Sequence, residues 1–423
     1  MMAAKHPVFI YLGANPLHTG LYINVVNLME KAGFHVDLVV NQLIDFRHPG
    51  RTISERRHLA SHIIRPLRTA IQGRLYGPFP FHYRAKVPYS LFLLGLAILP
   101  YLTRRRLVFH ARTLHVADAA LRLKRFLPRL RVIAELEGDL QSELLYSIDR
   151  NRVAHGRCLD RRMRRHFHAT ERVLRYSDAV LCVSSRLKHV LAERHRLPTS
   201  RRDQIVVFPT LVSASRFYFD EVNRTQVRRD LGLGNRYVVA YAGNLATPWQ
   251  LPGETVDLFC MIRRSRPDAS FLILAPDPDH EFILPHLRRA GLVTGDYQLR
   301  SVPYGNMPGM LAAADVGVVL REKHLMNEVA SPGKVGEYLL SGLPVIMTES
   351  VGEYPAQLSG KNMALVLPDL SQKIALERSV EDFCTRRFTS EQREAFSRWA
   401  AQEFSLESRA PLLKEIYQSL SGA

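Results

Sequence analysis

The sequence predicts an α/β chain built of two doubly wound domains facing across a cleft. Three observations carry that expectation. Short apolar, β-branched runs alternate with longer helical patterns, which is the order of a parallel sheet with crossover helices. The series stops near residues 213–220 and restarts at Tyr237, and the charge balance changes at the same place. With 423 residues, 46% of them hydrophobic, the chain has enough apolar material for two cores.

In chain order, VFIYL at 8–12 reads as a strand ending at Gly13. A loop leads to a helical pattern through Leu21, Val25, Leu28 and Met29, which Gly33 stops, and HVDLVV at 35–40 is the next strand. This strand–helix–strand unit recurs. Strands are expected at 107–109, 131–136, 179–183 and 205–208, with helices at 117–126 and ending at 170–176. The second series reads as strands at 237–241, 271–274, 297–302, 316–320 and 344–347. The expected domains are therefore 1–212 and 213–390, with helices over 391–423 packing back on the first.

The net charge of +18 is concentrated in one half. Residues 1–212 hold 35 Lys and Arg against 15 Asp and Glu, whereas 213–423 hold 23 against 25. Such asymmetry points to a polyanion or an anionic bilayer as partner of the first half. Nucleic acid is not expected, because the basic run RRMRRH at 161–166 is followed by Phe167 alone, where strand binding needs interleaved aromatics. Four scattered cysteines suggest neither disulfides nor a zinc site. The opening residues are too short for a leader's apolar region, so a cytoplasmic chain is expected. The apolar run at 87–102 falls short of a bilayer span and is expected as a buried helix, with the alternative of a segment entering an anionic membrane surface beside Arg104, Arg105 and Arg106.

One segment concentrates the chemistry. SPGKVGEYLLSGLPVI, at 331–346, reads as a helix followed by a buried strand, with Ser331 as cap, Pro332 next, and Gly342 as the stop. That reading puts Lys334 at the third helical position, where a cation meets the positive end of the helix dipole. A bound phosphate would turn that small cost into a gain. Glu337, one turn on, is placed to accept ribose hydroxyls. Gly13 after the first strand is a second candidate phosphate turn, although neither G-x-G-x-x-G nor a P-loop is present.

Together with YSDAVLCVSSRLKHVL, VVFPTLVSASRF, VVAYAGNL and MPGMLAAADVGVVL, this segment resembles glycosyltransferase family 4, of GT-B architecture with two Rossmann-like domains. The form SPxKxxEYxxxGxPV is similar to enzymes that assemble bacterial polysaccharides and lipid-linked glycans. The resemblance implies transfer of a sugar from a nucleotide-sugar to a lipid-linked or polysaccharide acceptor, with retention, no metal, and a peripheral place at the inner membrane face. It implies that Glu337 binds the donor's ribose and Lys334 the diphosphate; Arg321 is expected to share that phosphate charge, and Gly13, Asn244, Glu328, Ser331, Pro332 and Gly333 are the other candidate donor contacts. The family's second glutamate falls at Val329, with Glu328 one position off. After the restart strand the chain reads Gly243-Asn244-Leu245 where many members carry Arg and Lys.

In the first half, Arg112, His115, Glu137, Asp139 and Glu143 follow strands and are candidate acceptor or sugar contacts. Two other readings of the same residues are a nucleotide-sugar epimerase and a non-catalytic polyanion-binding protein.

Overall fold

The computed structural model describes residues 7–13, 19–41, 75–79, 86–103, 106–149, 156–368 and 373–422. Arg104, Arg105 and Arg152 lie outside them. The chain forms two compact units, one of 1–148, 153–209 and 409–423, the other of 149–152 and 210–408.

Among the described residues the first unit contains seven parallel strands: β1 (Val8–Gly13), β2 (Val36–Asn41), β3 (Leu75–Phe79), β4 (Leu107–Arg112), β5 (Leu130–Leu136), β6 (Ala179–Cys182) and β7 (Ile205–Val207). Their order across the sheet is β3-β2-β1-β4-β5-β6-β7. The second unit has β8 (Val238–Ala242), β9 (Ser270–Leu274), β10 (Tyr297–Arg300), β11 (Val316–Val319), β12 (Val345–Thr348) and β13 (Ala364–Leu367), in the order β10-β9-β8-β11-β12-β13. Both orders reverse beside the first strand of their unit, between β1 and β4 and between β8 and β11, as doubly wound sheets do. Burial on both faces explains the apolar runs of β8 and β9, while in β4 the apolar run ends at Phe109 and the buried His110 and Arg112 follow.

Two strands were not expected from the sequence. β3 spells LYGPF, whose Gly77 and Pro78 argue against a strand except at an edge, where β3 lies. β13 is an edge of the second sheet, four residues long and mostly half-buried. The helix expected at 117–126 begins earlier, at Leu114, directly after β4, and ends at Lys124.

The apolar run forms the helix Lys86–Leu102, and only part of it is buried. Tyr89, Leu93 and Ala97 face the core, while Leu91, Ile98, Leu99 and Leu102 are exposed. Among the described residues no helix is long and apolar enough to cross a membrane.

The end of the chain divides. Helix Ser390–Phe404 packs on Gly333–Leu340 in the second unit, where the Ser397 hydroxyl donates to the Leu340 carbonyl at 2.5 Å and Phe404 joins the core. Helix Ala410–Ser421 belongs with the first unit, where the Tyr417 ring stacks on Phe9 at 4.6 Å.

Candidate functional site

The helix Gly333–Leu340 is set by its own sequence. Val335, Tyr338, Leu339 and Leu340 are buried in the core under β8 and β12, and Gly342, at φ 66°, lets the chain turn into β12. The start differs from expectation. Pro332, not Ser331, occupies the cap, so Lys334 stands at the second helical position. The Ser331 hydroxyl is used elsewhere, accepting the Thr210 N–H at 3.2 Å. Gly333 and Lys334 still present first-turn N–H groups, which have no acceptor within a helix.

Lys334 reaches back over the end of β8. Its ammonium lies 3.0 Å from Gln250 Oε1, 3.3 Å from the Tyr241 hydroxyl and 4.4 Å from that ring's centre. Gly243, the residue after β8, makes room. It has φ 124°, and a Cβ there would sit 3.0 Å from the Lys334 nitrogen. Burial, then the Arg321 guanidinium, pull the Lys334 pKa well below the lysine range, with Glu337 opposing. The Glu337 carboxylate accepts the Tyr304 hydroxyl at 3.2 Å, and burial raises its pKa against the effect of Tyr304 and Lys334.

Arg321 follows β11 and is buried. Thr348, at the end of β12, pins its backbone by accepting the Arg321 N–H at 2.8 Å and donating to its carbonyl at 2.6 Å. Two cations and one carboxylate thus converge at the C-terminal ends of β8, β11 and β12, where ligands of doubly wound sheets bind. Asn244 folds the loop after β8 by accepting the Ala246 and Thr247 N–H groups. Glu328 ends the short helix Leu325–Glu328, and Val329 beside it is fully buried.

The expectation of no metal passes over one Asp-x-Asp triplet, Asp277-Pro278-Asp279. Asp279 is committed to the loop, accepting the Leu245 N–H at 2.7 Å, while the Asp277 side chain is 80% exposed. Among the described residues no three metal-ligating side chains gather.

In the first unit, Arg112 ends β4 between two carboxylates, Glu135 at 2.9 Å and Glu137 at 2.6 Å. Tyr11 donates to Glu135 at 3.0 Å, and His110 lies 3.4 Å from the same carboxylate. Asp139 pairs with Arg194 at 2.7 Å and accepts the Ser142 hydroxyl at 2.5 Å, fixing the start of helix Leu140–Asp149. Glu143 on that helix has its pKa pushed up to about 7 by burial and by Asp139 and Glu137. His115 is placed differently, its ring 5.3 Å from that of His166. Gly13 has a packing reason, because a Cβ would come within 2.4 Å of the Tyr22 ring.

Sequence reasoning missed Tyr241, Gln250, Tyr304 and Thr348, the residues that hold the two cations and the carboxylate. Only Tyr241 carried a signal, lying at the end of an apolar strand before a glycine.

No family model and no curated protein matches this sequence. Solved structures do match along nearly its whole length. Sucrose-phosphate synthase from Thermosynechococcus elongatus superposes with a TM-score of 0.70 at 14% identity, over 98% of this chain and 99% of that one. HepE from Anabaena, solved with UDP-glucose, gives 0.65 at 13% identity over 98% and 100%. WaaG, a glycosyltransferase involved in lipopolysaccharide biosynthesis, gives 0.61 at 14% identity over 97% and 98%. The fold is GT-B.

Proposed function

We propose that this GT-B chain is a glycosyltransferase that moves a sugar from a nucleotide-sugar to a lipid-linked or polysaccharide acceptor, with retention and without a metal, at the inner face of a membrane. The observation that carries the reading is the convergence of Lys334, Arg321 and Glu337 at the start of one helix. HepE, of the same fold, has been solved with UDP and with UDP-glucose, which supports a nucleotide-sugar as the ligand of this site.

In this reading the diphosphate lies on the N–H groups of Gly333 and Lys334, between Ser331, Pro332 and the loop of Asn244. The Lys334 and Arg321 cations face it, and Glu337, held by Tyr304, accepts the ribose hydroxyls. Transfer breaks the bond between the anomeric carbon and the phosphate oxygen, so negative charge grows on the leaving diphosphate. Cations fixed in a dehydrated site stabilise that charge more than water does. The leaving phosphate also takes the acceptor hydroxyl's proton in a retaining reaction. Glu328 is the carboxylate offered to the donor sugar, since Val329 is apolar. Glu137 and Glu143 are the acceptor-side carboxylates of the first unit.

The test is release of nucleoside diphosphate from a panel of nucleotide-sugars, with and without glycan and polyprenyl-phosphate acceptors. Release that needs an acceptor and falls at least a hundredfold in Lys334→Ala is expected, as for loss of a group stabilising developing charge, about 10² to 10³. Interconversion of the donor sugar without acceptor identifies an epimerase instead and overturns the proposal.

A further inference from the structure

The helices Lys86–Leu102, Leu114–Lys124 and Arg157–Tyr176 connect strands that advance in one direction, β3 to β4 to β5 to β6. Right-handed crossovers place all three on one face of the first sheet, and the middle helix packs against both others. The outside of this layer has two distinct parts. On helix Lys86–Leu102, Leu91, Ile98, Leu99 and Leu102 fall at helical spacing on one stripe, with Leu99 68% and Leu102 71% exposed. Phe126, 79% exposed, follows the middle helix, and nearby Arg129 stacks on Tyr101 of the first helix at 4.3 Å.

On helix Arg157–Tyr176 the inner face buries Leu159, Ala169, Val173 and Leu174, while Arg161, Arg162, Arg164 and Arg165 are exposed. Asp160 is the single acid between 157 and 168. An apolar stripe and a polybasic helix on the same layer, one on each side of the middle helix, supply the two signals that stable attachment to a membrane surface requires.

We propose that the outer face of this helical layer docks on an anionic lipid bilayer, the stripe from Leu91 to Leu102 entering the headgroup boundary and the arginines of 161–165 lying over lipid phosphates. Charge complementarity selects this occupant. A second copy placed on the same patch would bring two arginine-rich faces together, because a two-fold interface pairs a surface with itself. The unit as a whole adds to the attraction, since the excess of basic residues lies in the first half of the chain. The proposal specifies the membrane contact of the transferase reading, yet depends on none of its catalytic residues.

The experiment is co-sedimentation of the full chain with phosphatidylcholine vesicles, with and without phosphatidylglycerol. Binding to the anionic vesicles alone, weakening as salt rises, is expected. The double variant Leu99→Glu with Leu102→Glu should weaken it at least tenfold, and Arg161→Gln with Arg165→Gln should weaken it by about fivefold per arginine. The nucleotide-induced thermal shift should be the same in both variants. Equal binding to neutral vesicles, or binding unchanged in both variants, overturns the proposal. So does a dimer that the leucine variant dissolves while vesicles are ignored. A chain that sediments but binds no nucleotide counts against the transferase reading alone, and one that binds nucleotide but not vesicles counts against this surface alone.

Discussion

The ammonium of Lys334 lies 3.0 Å from the amide oxygen of Gln250 and 4.4 Å from the centre of the Tyr241 ring. Its hydrogen-bond partners are neutral, and burial together with the nearby guanidinium of Arg321 disfavours the charged form of Lys334. An anion arriving between them restores the favourable charge on Lys334.

Nucleoside diphosphate binding should take up a proton. The free site's Lys334 pKa lies well below the lysine range because of burial first and Arg321 second, and a bound diphosphate raises it again. Affinity should accordingly fall as pH rises through the free value. Calorimetry in buffers of different ionisation enthalpy measures the uptake, which Lys334→Met should remove. Binding heats independent of buffer would contradict this.

Gly243→Ala should weaken donor binding while leaving the fold intact. The new Cβ meets the Lys334 nitrogen at 3.0 Å in a backbone conformation unsuited to other residues. The expected cost is about 1 to 3 kcal/mol, shared between strain and a displaced ammonium. Titration of the variant with nucleoside diphosphate checks it, and wild-type affinity would show that Lys334 is not held where binding needs it.

Asp315 anchors the opposite end of the second sheet. Burial raises its pKa, and Arg224, Arg393 and Arg228 more than reverse that, at 2.7, 3.2 and 3.3 Å respectively. Asp315→Ala leaves the buried Arg393 and the partly buried Arg224 and Arg228 without their carboxylate, and removing one partner of such a cluster costs about 3 to 5 kcal/mol. Chemical denaturation should show that loss in the transition of the second unit.

Two carboxyls of the first unit should bend its pH stability in opposite directions. Burial pushes the Glu135 pKa up, but Arg112, His110 and Tyr11 outweigh it and hold it at about 2, below the ordinary value of 4.5. Its contribution, on the order of 3 kcal/mol, is present above pH 4.5 and is lost as pH falls through about 2. The Glu143 pKa, pushed up to about 7 by burial first, makes folding progressively costlier as pH rises from about 4.5 to about 7. Glu135→Gln should flatten the acid limb, and Glu143→Gln should stabilise more at pH 8 than at pH 5. Melting curves across this range decide both.

The two sheets were legible because their central strands are buried on both sides and therefore spell largely apolar runs. Two of the four edge strands, β3 and β13, were not, since β3 carries Gly77 and Pro78 and β13 is short and half-covered. Lys334 and Glu337 stood out because a cation near a helix start asks for an anion. Their supports did not, because Gln250, Tyr304 and Thr348 reach the site from loops and from another strand, at separations no local pattern encodes. Ser331 misled for a related reason. It has the composition of a cap, but the backbone N–H of Thr210 claims its hydroxyl.

The central claim is that a nucleoside diphosphate binds at the start of helix Gly333–Leu340 with Glu337 on its ribose. A thermal-shift panel of nucleoside diphosphates and their sugars, run on the wild type and on Glu337→Ala, tests it most directly. At least one nucleotide should raise the wild-type midpoint and leave that of the variant unmoved. A panel with no shift at all, or the same shift in both proteins, would contradict it.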